Sequence, residues 1–429
     1  KTTYKQSGKL SKKVYHFTPS GQLACDTSYD ATSGTIHRIR RYQYDDIGRM
    51  IVTELKNDND LAHDDWTTVV RNYYDNTDEL NNSEIQYNIP QLLLSTLENL
   101  RGRLVATVAI NKVNGATYYV SDIFSYTDEG WIGKKIKIVP GLARQEISYT
   151  YDLHGKVLTE TTECGAEKVV LEYQYDGEGR LEKVVHANNS NKTLASYRYD
   201  ELGRLDGKNL AIGSGREIGF KYNIRGWTKS ISAPGGTSYP NIFEETIPDS
   251  EYLANGNIGY AAYKYTYQGA ASPTQFGLTY AYDEVNRLTD VTPDSGTGTD
   301  YSASYTYDVL GRFQAKTEGT DAKTGYAYYP NTNRLQKTAT GDNKYYYDKN
   351  GNIVVDVNKR MVIEVDWRDM PVAFRFYNEM PAALPTCDNQ GTLQVDPRTY
   401  FESANKTLLS QVIMLYDASG NRVLKMEGK

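Results

Sequence analysis

The residues able to do chemistry are few and scattered. Histidines stand at His16, His37, His63, His154 and His186, each able in principle to ligate a metal or carry a proton. His63 lies beside Asp58, Asp60, Asp64 and Asp65, the best metal candidate in the chain. A calcium loop needs acidic side chains at alternating positions closed by a glycine, and this run lacks that spacing. It reads as a solvated turn. Cys25, Cys164 and Cys387 lie far apart, with no CxxC and no flanking histidine, so at most one disulfide is available. The sequence has no GxSxG elbow, HExxH helix, Walker loop or GxGxxG segment after a strand. The paired carboxylates of a glycosidase cannot be singled out, because most aspartates already have a place in turns. The reading is of no catalytic residue, no metal site, no cofactor and no enzyme.

Composition describes the elements that carry these groups. The chain has 429 residues, with 48 Lys plus Arg against 54 Asp plus Glu and a formal charge of −6. That mixed balance gives no electrostatic footprint for nucleic acid or for an anionic membrane. No apolar run approaches the roughly 18 residues of a membrane span. Tyrosine is abundant, 38 residues against 9 Phe and 4 Trp, and there are 35 Gly. This usage points away from a helical or doubly wound enzyme and toward sheets with aromatic, incompletely dry faces. Lys1 is no initiator, so the chain reads as a cropped or processed piece of a longer one.

A repeat runs throughout. YQYDDIGRM stands at 42–50, YTYDLHGKV at 149–157, YQYDGEGRL at 173–181, YRYDELGRL at 197–205, YAYDEVNRL at 280–288 and YTYDVLGRF at 305–313. Anchored on the glycine, the registers are Gly21, Gly48, Asp78, Gly102, Gly130, Gly155, Gly179, Gly203, Gly226, Gly256, Asn286, Gly311, Asn333, Gly351, Asp369 and Gly420. Four residues earlier, thirteen of these sixteen have Tyr, among them Tyr44, Tyr151, Tyr175, Tyr199, Tyr282, Tyr307, Tyr347 and Tyr416. Three residues earlier, ten have Asp, among them Asp45, Asp152, Asp176, Asp200, Asp283, Asp308, Asp348 and Asp417.

Gly, Asn and Asp enter the left-handed region at least cost, and Asp at the head of a turn accepts hydrogen bonds from the amides ahead of it. Asp-x-x-Gly therefore predicts a type I turn closed by a left-handed bulge residue, a common hairpin connection. Each repeat is a β-hairpin, and a lone hairpin must pair with its neighbours to be stable. The fold expectation is all-β: about sixteen antiparallel hairpins in one continuous strip over 1–429. Too many strands for a flat sheet, the strip is expected to spiral into a partial or complete hollow shell. Intervals of 18 residues near Asn333, Gly351 and Asp369 predict shorter strands there. Residues 229–255 and 373–413 read as insertions, the first a loop. The tyrosines are expected to stack along the strip with hydroxyls near water. Arginines after the turn glycine (Arg49, Arg103, Arg180, Arg204, Arg287, Arg312, Arg334) are expected to cover rings or pair with turn carboxylates.

The recurring YxYDxxGRL pattern resembles the RHS/YD-repeat family over nearly the whole chain. That resemblance implies a β-strip wound into a hollow shell, related to the cocoon subunits of Tc toxins and to teneurin barrels. It implies a non-enzymatic segment of a secreted or surface-associated bacterial protein that encloses or scaffolds another polypeptide, a C-terminal toxin above all. The alternative is an adhesin or glycan-binding surface using exposed Tyr and the insertions. The implied partners are enclosed cargo and other segments of the same long chain, with no nucleic acid and no membrane insertion. The chain departs from the family pattern after YDASGNRVLK at 416–425, where no self-cleaving protease segment or toxin cargo follows. Asp396-Pro397 lacks the surrounding motif and is left unassigned.

Overall fold

The computed structural model describes residues 12–29, 35–57, 65–78, 80, 94–210, 216–233, 243–266, 272–294, 301–338, 344–382 and 386–428. Almost all regular structure is antiparallel strand, joined in hairpin order. The strands from Lys12–Phe17 to Asp321–Lys323 belong to an open sheet, with no pairing among the described residues that closes it into a barrel. The chain divides into two units, Lys1–Tyr149 with Thr162–Lys168 and Ala327–Lys429, and Thr150–Thr161 with Val169–Tyr326.

The first unit has two layers. Its N-terminal strands include Ile36–Tyr44, Met50–Asn57, Thr67–Tyr74, Leu104–Val113 and Ala116–Tyr126, each paired to the next. Its C-terminal six-stranded sheet runs from Tyr345–Tyr347 to Arg422–Gly428. Ala109, Val113, Val120 and Val139 pack against Val372, Ala373, Met414 and Leu415 from that second sheet. Two further clusters, around Ile123 and around Phe401, lie in the same unit. Alternation of apolar residues on strands facing another layer buries one side of each, as the period-two pattern requires.

The second unit is built differently. Its strands, from Leu181–His186 through Lys192–Tyr199, Leu205–Leu210 and Thr274–Tyr282 to Phe313–Glu318, are mostly half-buried on both faces. Buried apolar side chains such as Val185, Ala195, Ala261 and Val291 are isolated along it. Among the described residues this sheet has no partner face to dry it, so rings and long side chains cover its surfaces in place of a core.

The expected single strip is interrupted. Ala327–Tyr328 pairs with Leu335–Lys337 in a separate two-stranded sheet, and the six-stranded sheet follows. The short intervals leave strands of only 2 to 5 residues between Ala327 and Val365. So few ladder bonds cannot hold a continuous sheet. Residues 229–255, expected as loop, are ordered at both ends: Thr228–Ala233 pairs with Phe243–Thr246. Residues 373–413 likewise contain most of the strands Pro371–Tyr377 and Leu408–Tyr416, which pair. They also hold the helix Pro397–Ser403, capped by the Asp396 carboxylate on the Arg398 amide. His63 and Asp58, Asp60 and Asp64 lie outside the described residues.

Candidate functional site

The repeated turn is built from its own short sequence. At Asp45 the main-chain carbonyl accepts the Gly48 amide at 2.9 Å, while Oδ1 accepts the amides of Ile47 and Arg49 at 3.2 and 2.7 Å. Gly48 sits at φ +87, a conformation that side chains resist. Asp152, Asp176, Asp200, Asp283, Asp308, Asp348 and Asp417 bind the amides ahead of them in the same way. Gly155, Gly179, Gly203, Gly311, Gly351 and Gly420 are left-handed, and Asn286 takes their place at φ 66. Each turn is followed by a bulge, seen at Tyr175, Tyr199, Tyr282 and Tyr307 as a register shift.

Two anchors differ. The left-handed residue is Asp75 (φ 71) near Asp78 and Asn331 (φ 58) near Asn333. The chain turns earlier at both places, so residue type at the anchor does not fix the conformation there. A further turn of the same kind occupies the second insertion. The Asp388 carbonyl accepts the Gly391 amide, and its carboxylate accepts Gln390 and Thr392. Its Asp-x-x-Gly signal is in the sequence, but Cys387 stands where the repeat has tyrosine.

The tyrosine hydroxyls do not simply face water. At eleven of the thirteen repeat tyrosines the hydroxyl reaches back to the preceding hairpin and donates to the carbonyl two residues past its turn glycine position, while Tyr329 donates forward to the Tyr345 carbonyl at 2.9 Å. The pairs are Tyr44 to Leu23, Tyr74 to Met50, Tyr126 to Leu104, Tyr175 to Val157, Tyr199 to Leu181, Tyr222 to Leu205, Tyr252 to Thr228, Tyr282 to Ile258, Tyr307 to Leu288, Tyr347 to Leu335 and Tyr416 to Pro371. The reason lies in the ladder between hairpins. Pairing of Leu181–His186 with the next strand stops at Lys183↔Ser196, and that of Leu205–Leu210 stops at Gly207↔Gly219. The carbonyls of Leu181 and Leu205 lie beyond the last paired residue, where the hairpins splay. A phenol is long enough to bring them a donor, and a phenylalanine ring would leave them without one.

The basic residue after the glycine completes the latch. Arg180 Nε donates to Asp176 Oδ2 at 2.7 Å in its own turn, and its guanidinium lies 4.7 Å from the Tyr199 ring centre. Arg49, Arg204 and Arg287 bridge Asp45, Asp200 and Asp283 to Tyr74, Tyr222 and Tyr307 alike. At these four positions both expected roles of the arginines occur together, whereas Arg103 and Arg334 cover the Tyr126 and Tyr347 rings and donate to the Asn99 carbonyl and the Thr392 hydroxyl. Arg49 also forks onto Asp75 at 3.1 and 2.6 Å, and with the Gly102 amide holds its carboxyl down to about 2. Burial pushes the phenols of Tyr74, Tyr126, Tyr175, Tyr282, Tyr307 and Tyr416 above their ordinary value, and that of Tyr347 to about 12. They stay neutral donors at any ordinary pH.

The first unit adds polar ties that sequence reading missed. Asn111 Nδ2 donates to the Tyr416 carbonyl at 2.9 Å, and its Oδ1 accepts the Tyr416 amide at 3.1 Å. Lys137 Nζ bridges Asp122 and Asp417, each at 3.0 Å. Arg38 forks onto Asp369 at 3.1 Å to each oxygen, and His37 Nε2 donates to Asn350 Oδ1. A cavity of about 720 Å³ opens beside His37 and Arg38, between strands near Leu55, Val69 and Ile110 and the segments near Asn350, Trp367 and Val395. The cysteines are free, Cys25 half-buried and Cys164 and Cys387 exposed. No cluster of His, Cys, Asp and Glu suited to a metal occurs among the described residues.

Residues 121–297 match a family model described as Teneurin YD-shell. No curated protein matches the chain. Among solved structures it is similar to a crystal structure of TcdB2-TccC3-TEV, with a TM-score of 0.53 and 13% identity over 97% of this chain and 19% of that one. It is also similar to the Photorhabdus luminescens Tc holotoxin pore with a mutated TccC3, with a TM-score of 0.51, 13% identity, and 97% and 20% coverage. A crystal structure of TcdB2-TccC3 gives 0.52, 12%, and 97% and 22%. The chain thus spans 19% to 22% of the length of these structures, and at such identity the likeness is one of fold. The family match thus covers the middle of the chain, and the solved structures extend a likeness of fold over 97% of it.

Proposed function

We propose that the chain is a stretch of a structural shell wall that encloses or scaffolds another polypeptide and performs no catalysis of its own. The observation that carries this reading is the second unit. There a single sheet layer, without a core cluster among the described residues, is held hairpin to hairpin by the tyrosine and arginine latches. A wall one layer thick, stabilised from within, can extend by repeats without needing a globular core. Likeness to Tc toxin structures, which cover a chain about five times as long, supports a toxic polypeptide as the enclosed partner and a secreted or cell-surface setting. No helix among the described residues is long and apolar enough to cross a membrane.

The test is a structure of the full-length gene product. Density for a poorly ordered polypeptide on the inner side of a closed shell is the expected result. An open strip with nothing beside it would overturn the reading.

A further inference from the structure

We propose that the rim of the second unit bearing the repeated turns is an interface between two copies of this chain, related by a two-fold axis between the Gly203 and Gly226 hairpins. The inference stands on the turns of that unit and not on what the wall encloses.

Consecutive antiparallel pairing puts the repeated turns of the second unit on one rim of its sheet and the other connections on the opposite rim. Successive turns lie two strands apart, about 10 Å. The middle residues of these turns stand at the end of the sheet, and several are aliphatic. Leu153 and Ile224 are fully exposed, and Leu202 and Val285 largely so. One exposed aliphatic residue needs no explanation. A series of them at a fixed spacing, on positions where the turn itself asks for nothing apolar, fits a partner with the same spacing. A second copy of the rim has it.

The order of charges selects the register. Glu201 precedes Leu202 at one tip, and Arg225 follows Ile224 at the next. A two-fold axis reverses the order along the facing rim. Placed between these hairpins, it sets Leu202 against Ile224 of the second copy and Glu201 against its Arg225. Two hairpins farther out, the same axis sets Leu153 against Val285 and His154 against Glu284. Each contact is made twice. Glu201 and Glu284 form no ion pair among the described residues. Arg225 lies 4.9 Å from the Trp227 ring centre, with no carboxylate partner among them. Glu178, which meets only Ala254 in this register, is already paired with Arg180 at 3.1 Å.

Moving the axis by one hairpin destroys the match. In one direction Glu178 faces Glu201. In the other, Glu201 faces Val285 and Leu202 faces Glu284. Because sheets twist, contact is closest at the two central hairpins and falls away outward. That places the interface at the small end of the protein range, with an affinity on the order of 10–100 μM.

The test is sedimentation equilibrium of the whole chain from about 1 μM to about 1 mM. A monomer–dimer equilibrium is expected. Arg225→Glu and Glu201→Arg each set like charges at both central contacts, and each should weaken the dimer at least about tenfold. Their melting temperatures should not move, because the tips are exposed. Mixed together, the two variants regain a Glu–Arg pair at both contacts and should form a heterodimer as strong as the original. A change in folding alone cannot produce that recovery. A chain monomeric throughout, single variants that dimerise like the unaltered chain, or variants that stay apart when mixed would overturn the proposal. Should either charge variant fail to fold, Ile224→Ser decides: about tenfold weaker dimerisation is expected, and an unchanged dimer would overturn the interface.

Discussion

The phenol of Tyr199 donates to the main-chain carbonyl of Leu181 at 2.8 Å, joining one hairpin to the one before it. The same relation recurs through both units, so tyrosine in this chain acts as a connector as well as a surface. Tyr199→Phe keeps the ring and the arginine stacked on it but strands the carbonyl. It should cost about 1 kcal/mol, lowering the melting temperature by about 2–4 °C. Tyr197→Phe is the control, since that hydroxyl makes no hydrogen bond among the described residues, and calorimetry should show little change.

Gly203 closes its turn at φ +79. Gly203→Val should destabilise by at least about 1–2 kcal/mol, because a β-branched side chain resists the left-handed region. Gly203→Asn should be milder, as Asn286 holds the equivalent position at φ 66. Equal melting of all three proteins in denaturant would contradict the turn geometry.

How much of this was legible in the sequence depends on the range of the interaction. Asp45 and Gly48 lie three residues apart, and their chemistry dictates the local turn, so the motif alone announces a hairpin. The destination of the Tyr199 hydroxyl depends on where the ladder between two hairpins stops, which no single repeat encodes. The surplus of Tyr over Phe was its one sequence signal. At Asp78 and Asn333 the right residue types stand in the right register, yet the turn forms around Asp75 and Asn331. Tertiary context decides those. The pairing of Asn111 with Tyr416 spans a separation of 305 residues and left no local trace.

That pairing gives a sharper stability test. Asn111 is 4% exposed and satisfies both main-chain groups of Tyr416. Asn111→Leu leaves a buried N–H and C=O without partners, at a cost of roughly 2–4 kcal/mol. Hydrogen exchange should show the Tyr416 amide losing protection before the second unit changes.

Stability should fall at both extremes of pH. The latch phenols have raised values when folded, so their contribution is complete below the ordinary tyrosine range and is lost as pH climbs through it, reaching about 12 for Tyr347. Asp75 is held down to about 2, chiefly by Arg49, so its contribution is present above the ordinary carboxylate value of 3.8 and disappears as pH falls toward 2. Denaturant melts between pH 2 and 12 should give a broad plateau with both shoulders, and Asp75→Asn should flatten the acid one.

The central claim is that this latched sheet is a wall around another polypeptide. Its most direct test is limited proteolysis of the full-length product with a tag placed in the sequence downstream of this chain. Enclosure predicts that the tagged segment survives while the shell is folded and is cut once the shell is unfolded by denaturant. A tag cleaved at the same rate in the folded protein would contradict it.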